Sequence, residues 1–174
     1  IRHDLHMPAI GYLGMLLTDD QIMIRDTART FAHAEIAPFS AEWDRTAEFP
    51  SQIAKRLGEL GFLGMTVSEE WGGSGADNLS LALVIEEISA ADAACGLLVG
   101  LQNSVVWAPI NQFGTKEQKE RYLRPAARGE IRGCFCLTEP QAGSDASNLR
   151  TRAELRGNHY VINGSKQFIT SGAS

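Results

Sequence analysis

The chain has 174 residues, with 16 Lys plus Arg against 21 Asp plus Glu, a net charge of -5 and 44% hydrophobic residues. That apolar mass can bury a core and argues against a disordered tail, and the acidic balance makes neither nucleic acid nor an anionic membrane an expected partner. Three Cys are too few, and odd in number, for a disulfide scaffold, which fits a reducing compartment and a cytoplasmic protein.

The sequence opens on Ile1, with Met7 and Met15 as the first methionines, and shows no basic region, apolar stretch and small-residue cleavage site in succession. Residues 1–15 therefore read as non-native or as lying upstream of the true start. From 16 to 130 the pattern is that of an all-α domain. Thr18-Asp19-Asp20-Gln21 has capping-box spacing and starts a helix that carries Ile24, Ala28, Phe31 and Ala32 and ends by Pro38. A second helix opens at Pro50, buries Ile53, Leu57 and Leu60, and stops at Gly61. Trp71-Gly72-Gly73-Ser74-Gly75 is loop material without a phosphate-binding glycine fingerprint.

Leu81, Val84, Ile85 and Ile88 form one helical stripe. Gly96, Leu97, Leu101 and Val105 suggest a mostly buried helix ending before Pro109. Glu86, Glu87 and Asp92 interrupt this greasy region, so it falls short of the roughly 20 uninterrupted apolar residues a bilayer demands. Thr115-Lys116-Glu117-Gln118 repeats the capping box and starts a short helix through Tyr122 and Leu123, closed by Pro125.

Near Ile131 the period changes, and residues 131–174 read as the start of a β domain. Leu149, Thr151, Ala153 and Leu155 alternate with Arg150, Arg152, Glu154 and Arg156, a two-residue period that only a strand with one wet face satisfies. Gly157-Asn158 and Asn163-Gly164 then separate His159–Ile162 and Lys166–Thr170, predicting two tight hairpins and an antiparallel meander. Three strands with one apolar face need a covering surface, so the β domain reads as unfinished at Ser174. The fold class is α+β: an all-α domain followed by the first antiparallel strands of a truncated, β-barrel-like middle domain.

The chemistry-bearing stretch runs from Phe135 to Asp145, a strand entering a Pro, Gly and Ser loop. A strand end presents alternating backbone groups, Thr138 and Ser144 add hydroxyls, and Gly143 lets a flat or phosphorylated ligand approach the backbone. The same residue types also serve an ordinary strand-to-turn connection. Thr138-Glu139-Pro140-x-Ala142-Gly143-Ser144-Asp145 resembles the flavin-binding signature of acyl-CoA dehydrogenases, and Asn163-Gly164-x-Lys166-x-Phe168-Ile169-Thr170 resembles that family's second flavin segment. Trp71-Gly72-Gly73, Asn103-Ser104, and Phe113-Gly114 through Lys119, Tyr122 and Leu123 follow the family's order, so the resemblance covers residues 16–174.

The resemblance implies FAD as cofactor, contacted by Phe135, Leu137, Thr138, Gly143 and Ser144 and, along the isoalloxazine, by Phe168, Ile169 and Thr170. Ser144 would also meet the CoA thioester. Phe168 stands where the family often has Trp, and Gln141 where Gly is common. Physically, fixed hydrogen-bond groups suit the flavin's polar edge and apolar side chains suit its faces. The implied reaction is α,β-dehydrogenation of an acyl-CoA, in which a carboxylate takes the α-proton and the β-hydride passes to the flavin. In the family that carboxylate lies in a C-terminal helical domain, so no catalytic base is assigned here and residues 1–174 alone are expected to be inactive.

Leu97, Leu98 and Leu101 are candidates for the acyl pocket wall, although such stripes are more often core. Glu139 and Asp145 resemble an acid and base pair but suit the signature and its turn. Cys134 and Cys136 fall on one strand face and read as buried small hydrophobes rather than metal ligands, and the four His form no cluster, so no metal is expected. Asn163-Gly164-Ser165 is hairpin chemistry rather than a glycan acceptor, and Gly96 and Gly100 read as close helix packing. The family implies an oxidoreductase of fatty acid metabolism, oligomeric when complete, that passes electrons to an electron-transfer flavoprotein. A flavin oxidase or monooxygenase on the same scaffold, and a non-catalytic helical interaction fragment, are the competing readings.

Overall fold

A computed structural model describes residues 16–172 of the chain, so the expectation for residues 1–15 lies outside the described residues. The chain divides into two compact units, the first ending at Ile131 and the second beginning at Arg132.

In the first unit both capping boxes form. Thr18 Oγ1 accepts the Gln21 N–H at 3.2 Å while Gln21 Oε1 accepts the Thr18 N–H at 3.0 Å, and Thr115 and Gln118 repeat the exchange at 3.3 and 2.9 Å. Helix α1 (Asp19–Phe31) passes into a π turn over Ala32–Ile36, ahead of Pro38. A short α2 (Ser40–Thr46) ends on Ala47 at φ 53. Helix α3 (Ser51–Glu59) follows Pro50 and buries Ile53 and Leu57. Leu60, expected inside, is the C-cap residue and 36% exposed, because the chain leaves the helix axis there and turns at Gly61, φ 77.

Helices α4 (Asn78–Ala91) and α5 (Ala93–Leu101) are each started by an aspartate: Asp77 accepts the Ser80 N–H at 2.7 Å and Asp92 the Cys95 N–H at 2.8 Å. Asp77 also accepts the Gln21 Nε2 at 2.9 Å, tying the start of α4 to that of α1. After α5 a π turn (Gln102–Val106) leads straight into α6 (Trp107–Phe113), so Pro109 does not end the helix as expected. The wider turn just before it relieves the clash between the proline ring and the preceding carbonyls. Helix α7 (Lys116–Ala127) likewise runs past Pro125, which stands in its last turn and costs one hydrogen bond.

The run Ala93–Phe113 is thereby one helical rod of 21 residues, long and apolar enough by length and composition to cross a membrane, contrary to the expectation that acidic residues break it. All three acidic residues precede it. Its buried face is Cys95, Leu98, Val99, Gln102, Asn103 and Trp107, whereas Leu97 and Val105 are exposed. The helical period places 98, 102 and 95, 99 inward and rotates 97, 101 and 105 outward. Gly96 does support a close approach, since a Cβ there would fall 1.9 Å from Ser89 Oγ, while at Gly100 the nearest atom is an ordinary 3.5 Å away.

The main core joins α1, α3, α4 and α5 through Ala28, Phe31, Leu57, Val84, Ile88 and Val99, and a second cluster gathers Trp71, Trp107, Leu123 and Ala126. Asn103 pins the loop after α3 to the π turn. Its Nδ2 donates to Phe62 O at 2.7 Å and Val99 O at 2.9 Å, and its Oδ1 accepts the Thr66 N–H at 3.2 Å. Asn103→Leu is expected to cost about 2–4 kcal/mol, because it strands buried backbone groups, and urea unfolding followed by far-UV circular dichroism measures the loss.

The second unit holds a two-stranded antiparallel sheet, β1 (Arg152–Arg156) and β2 (His159–Asn163), in register Arg156↔His159. Gly157 at φ 64 opens the two-residue turn, as the II′ type requires. Ala153↔Ile162 and Leu155↔Tyr160 share one face, the apolar face expected, but Leu155 is 63% and Ile162 69% exposed, so both faces are wet. Lys166–Thr170 is not the third strand predicted, and residues 134–138 pair with no strand. A Cβ at Gly164 would fall 2.1 Å from Thr151 Oγ1, so the chain leaves β2 across the start of β1 instead of folding back along β2.

Candidate functional site

The second unit is organised around Glu139. The turn Glu139–Ala142 is closed by its own backbone, each residue's N–H donating to the other's carbonyl at 3.0 Å. The Glu139 carboxylate, in a residue only 2% exposed, accepts four hydrogen bonds: from the backbone N–H of Arg150 (2.7 Å) and Thr151 (3.0 Å), from Gln141 Nε2 (2.6 Å) and from Lys166 Nζ (2.8 Å). The Lys166 ammonium foremost, then Thr151 and the Arg150 N–H, hold this carboxyl far below the usual carboxylate range. It stays ionised and fully engaged, so it is a structural anion and not an acid or base for catalysis.

Lys166 Nζ also donates to Leu137 O at 2.8 Å, and the Gln167 N–H donates to Thr138 O at 3.0 Å. The two motifs, Thr138–Asp145 and Asn163–Thr170, are therefore laid side by side by Lys166 and Gln167. Both carbonyls of Leu137-Thr138 are thus taken, while the N–H groups of these residues and the hydroxyls of Thr138, Ser144 and Thr170 have no hydrogen-bond partner among the described residues.

Apolar cover stands beside these donors. Phe135 and Leu137 are exposed, and Phe168 is 87% exposed. Phe168 also sits at φ 56 and Ser171 at φ 61, left-handed conformations that a bulky side chain rarely adopts. Ile169 is half-buried, and its carbonyl closes a turn on the Gly172 N–H at 3.1 Å. A Cβ at Gly143 would meet nothing within 4 Å, so open space lies against the backbone there. Free donors, bare aromatic and aliphatic surface and an open glycine fit a flat ligand with a polar edge, as a flavin is.

The other expected site residues are placed as follows. Asp145 precedes the 3-10 turn Ala146–Asn148 and accepts Ser147 Oγ at 2.5 Å. Cys134 and Cys136 are exposed, not buried, with Sγ atoms 3.7 Å apart, because no strand pairs with their segment. Among the described residues no group of three metal-ligating side chains forms. Leu97 and Leu101 share the outer face of α5, whereas Leu98 is 5% exposed inside the helical core, so the three do not form one wall. The clamp role of Lys166 and Gln167 escaped the sequence. A Lys 27 residues after a Glu, outside any helix, leaves no periodic trace.

The second unit thus pairs two segments that present free donors beside bare aromatic and aliphatic surface. The family profile of the acyl-CoA dehydrogenase N-terminal domain matches residues 18–130, that of the acyl-CoA dehydrogenase middle domain matches residues 134–174, and the chain belongs to this family. A 3-(aryl)acrylate reductase of Clostridium sporogenes is 46% identical over 90% of this chain and 41% of its own length. A chain in the structure of the electron transferring flavoprotein of Acidaminococcus fermentans superimposes with TM-score 0.87 and 45% identity, over 90% of this chain and 41% of that one. An acyl-CoA dehydrogenase complexed with FAD from Bacillus anthracis gives TM-score 0.79 and 38% identity, over 90% and 27%. The chain thus spans about 41% of the length of curated relatives it matches.

Proposed function

We infer that this chain belongs to an FAD-dependent acyl-CoA dehydrogenase that takes a pair of hydrogens from the α and β carbons of an acyl-CoA thioester. The observation that supports this most directly is the pairing of the two flavin-like segments through Lys166 and Gln167. FAD, when bound, supplies a two-electron acceptor with apolar faces and a polar edge.

The chain's own residues have three tasks. The free N–H groups of Leu137 and Thr138 and the hydroxyls of Thr138 and Thr170 hold the polar edge, and Gly143 and Ser144 leave room beside it. Phe135, Phe168 and Ile169 cover the faces and exclude water, which strengthens each hydrogen bond in the site. Ser144 serves the thioester side, and Leu97 and Leu101 remain the acyl-facing candidates. No base is assigned within the chain: Glu139 is locked and Asp145 belongs to its turn, so residues 1–174 alone are expected to be inactive.

An electron-transfer flavoprotein as electron acceptor, homo-oligomeric assembly and a cytoplasmic setting complete the proposal. The free, exposed Cys134 and Cys136 suit a reducing compartment. The similarity to a 3-(aryl)acrylate reductase favours a second reading, in which the same site works in the reductive direction on an acrylate. The protein that carries this chain should be purified yellow, and acyl-CoA added anaerobically should bleach the visible flavin band. A flavin that an acyl-CoA leaves unbleached, but that is reoxidised by an acrylate after chemical reduction, decides for the reductase. A colourless protein that takes up no FAD overturns both.

A further inference from the structure

We propose that Glu139 and Lys166 are a positioning pair that sets the direction of the free Thr138 N–H toward the cofactor. The proposal rests on the FAD reading above but concerns two residues that do not themselves contact the ligand.

The Glu139 side chain is not needed to close its own turn, which two backbone hydrogen bonds already close. Its four donors instead gather the start of β1, the turn and the second cofactor segment onto one buried charge. Lys166 stands 2.8 Å from both Glu139 Oε1 and Leu137 O. The carboxylate keeps the ammonium in place with most of its water removed, and the ammonium in turn holds a carbonyl of the first cofactor segment.

The Leu137 carbonyl and the Thr138 N–H belong to one planar trans peptide and point in opposite directions. A lysine that holds the carbonyl on one side therefore aims the N–H to the other. The next carbonyl, of Thr138, is held in the same way by the Gln167 N–H. Lys166 thus orients a binding group through a rigid peptide plane, and Glu139 orients Lys166.

The test uses the protein that carries this chain, with FAD as the probe. Lys166→Met, similar in length but without charge or donor, is expected to weaken FAD binding about tenfold and to change the visible circular dichroism of the flavin at saturating FAD. Lys166→Arg, which keeps the charge and the donors, should return both to within about twofold. In the Glu139→Gln background, Lys166→Met should add little, since the pair acts as one unit. A purely structural role would lower the unfolding temperature yet leave the dichroism of the saturated flavin unchanged. If Lys166→Met does not fold, Lys166→Gln, which retains a neutral donor, should weaken binding about threefold. Wild-type affinity and dichroism in the folded Lys166 variants overturn the pair while leaving the FAD reading standing. A wild-type protein that takes up no FAD overturns both.

Discussion

Gly129→Ala is expected to destabilise the helical unit by about 3–5 kcal/mol, one of the largest single losses available to this chain. Two independent costs combine. Gly129, just past α7, sits at φ 70, where a side chain strains its own backbone by about 1–2 kcal/mol. Its Cβ would also fall 2.3 Å from the Gly58 Cα, in the last turn of α3. Main chain is pressed against main chain, so no rotamer change relieves the contact, and α3 and the end of α7 must separate. Gly72→Ala, in the same unit, is the control. Its φ of 86 is also left-handed, but nothing lies within 4 Å, so only the conformational cost of about 1–2 kcal/mol applies. Urea unfolding followed by helical circular dichroism measures both, and equal losses would show that the crossing of α3 and α7 carries no strain.

The crossing also shows where the sequence stops being informative. Capping boxes at Thr18 and Thr115 are legible because the partners lie three residues apart, and both form as read. Proline is less decisive. Pro38 follows a helix end, but Pro109 and Pro125 lie inside helices, since a π turn and a terminal position respectively absorb the missing donor. In α5 nearly every position is apolar, so composition alone cannot choose the inward face, and packing turns Leu98 and Val99 inward and Leu97 and Leu101 outward. Gln102 and Asn103 are polar and buried, which periodicity reads as an outer face.

In the β unit the hairpin at Gly157-Asn158 was legible from two-residue alternation, whereas Asn163-Gly164 gave the same local signal and no hairpin. The difference is tertiary: Gly164 is needed for its lack of a side chain against Thr151, not for a turn back along β2. The flavin-like segments were legible as motifs because each is contiguous. Their junction was not, because it depends on Lys166 reaching a carbonyl 29 positions away and on a glutamate becoming buried. Burial of a charge is a property of the finished fold, and the local sequence around Glu139 equally suits an exposed turn.

Acidification should distinguish Glu139 from the other carboxylates of the chain. Its pKa is lowered in the folded protein, so folding is favoured by the ionised form, and that contribution is fully present above the unfolded value of about 4.3. As pH falls below about 5 the unfolded chain begins to take up a proton that the folded one refuses, and stability declines progressively until the folded site itself protonates. Asp77, held down by the Ser80 N–H, declines in the same window, so the wild-type curve alone assigns nothing. The difference between wild type and Glu139→Gln does. The variant should be less stable at neutral pH, and the gap should narrow steadily from about pH 5 to pH 3, because the wild type alone has this charge to lose. Amide exchange gives the local readout: the Arg150 and Thr151 N–H groups, which end on the carboxylate, should exchange about tenfold faster or more in the variant at neutral pH. Curves that run parallel across the acid range, with both amides equally protected, would mean that the carboxylate contributes no more than a neutral amide of the same shape.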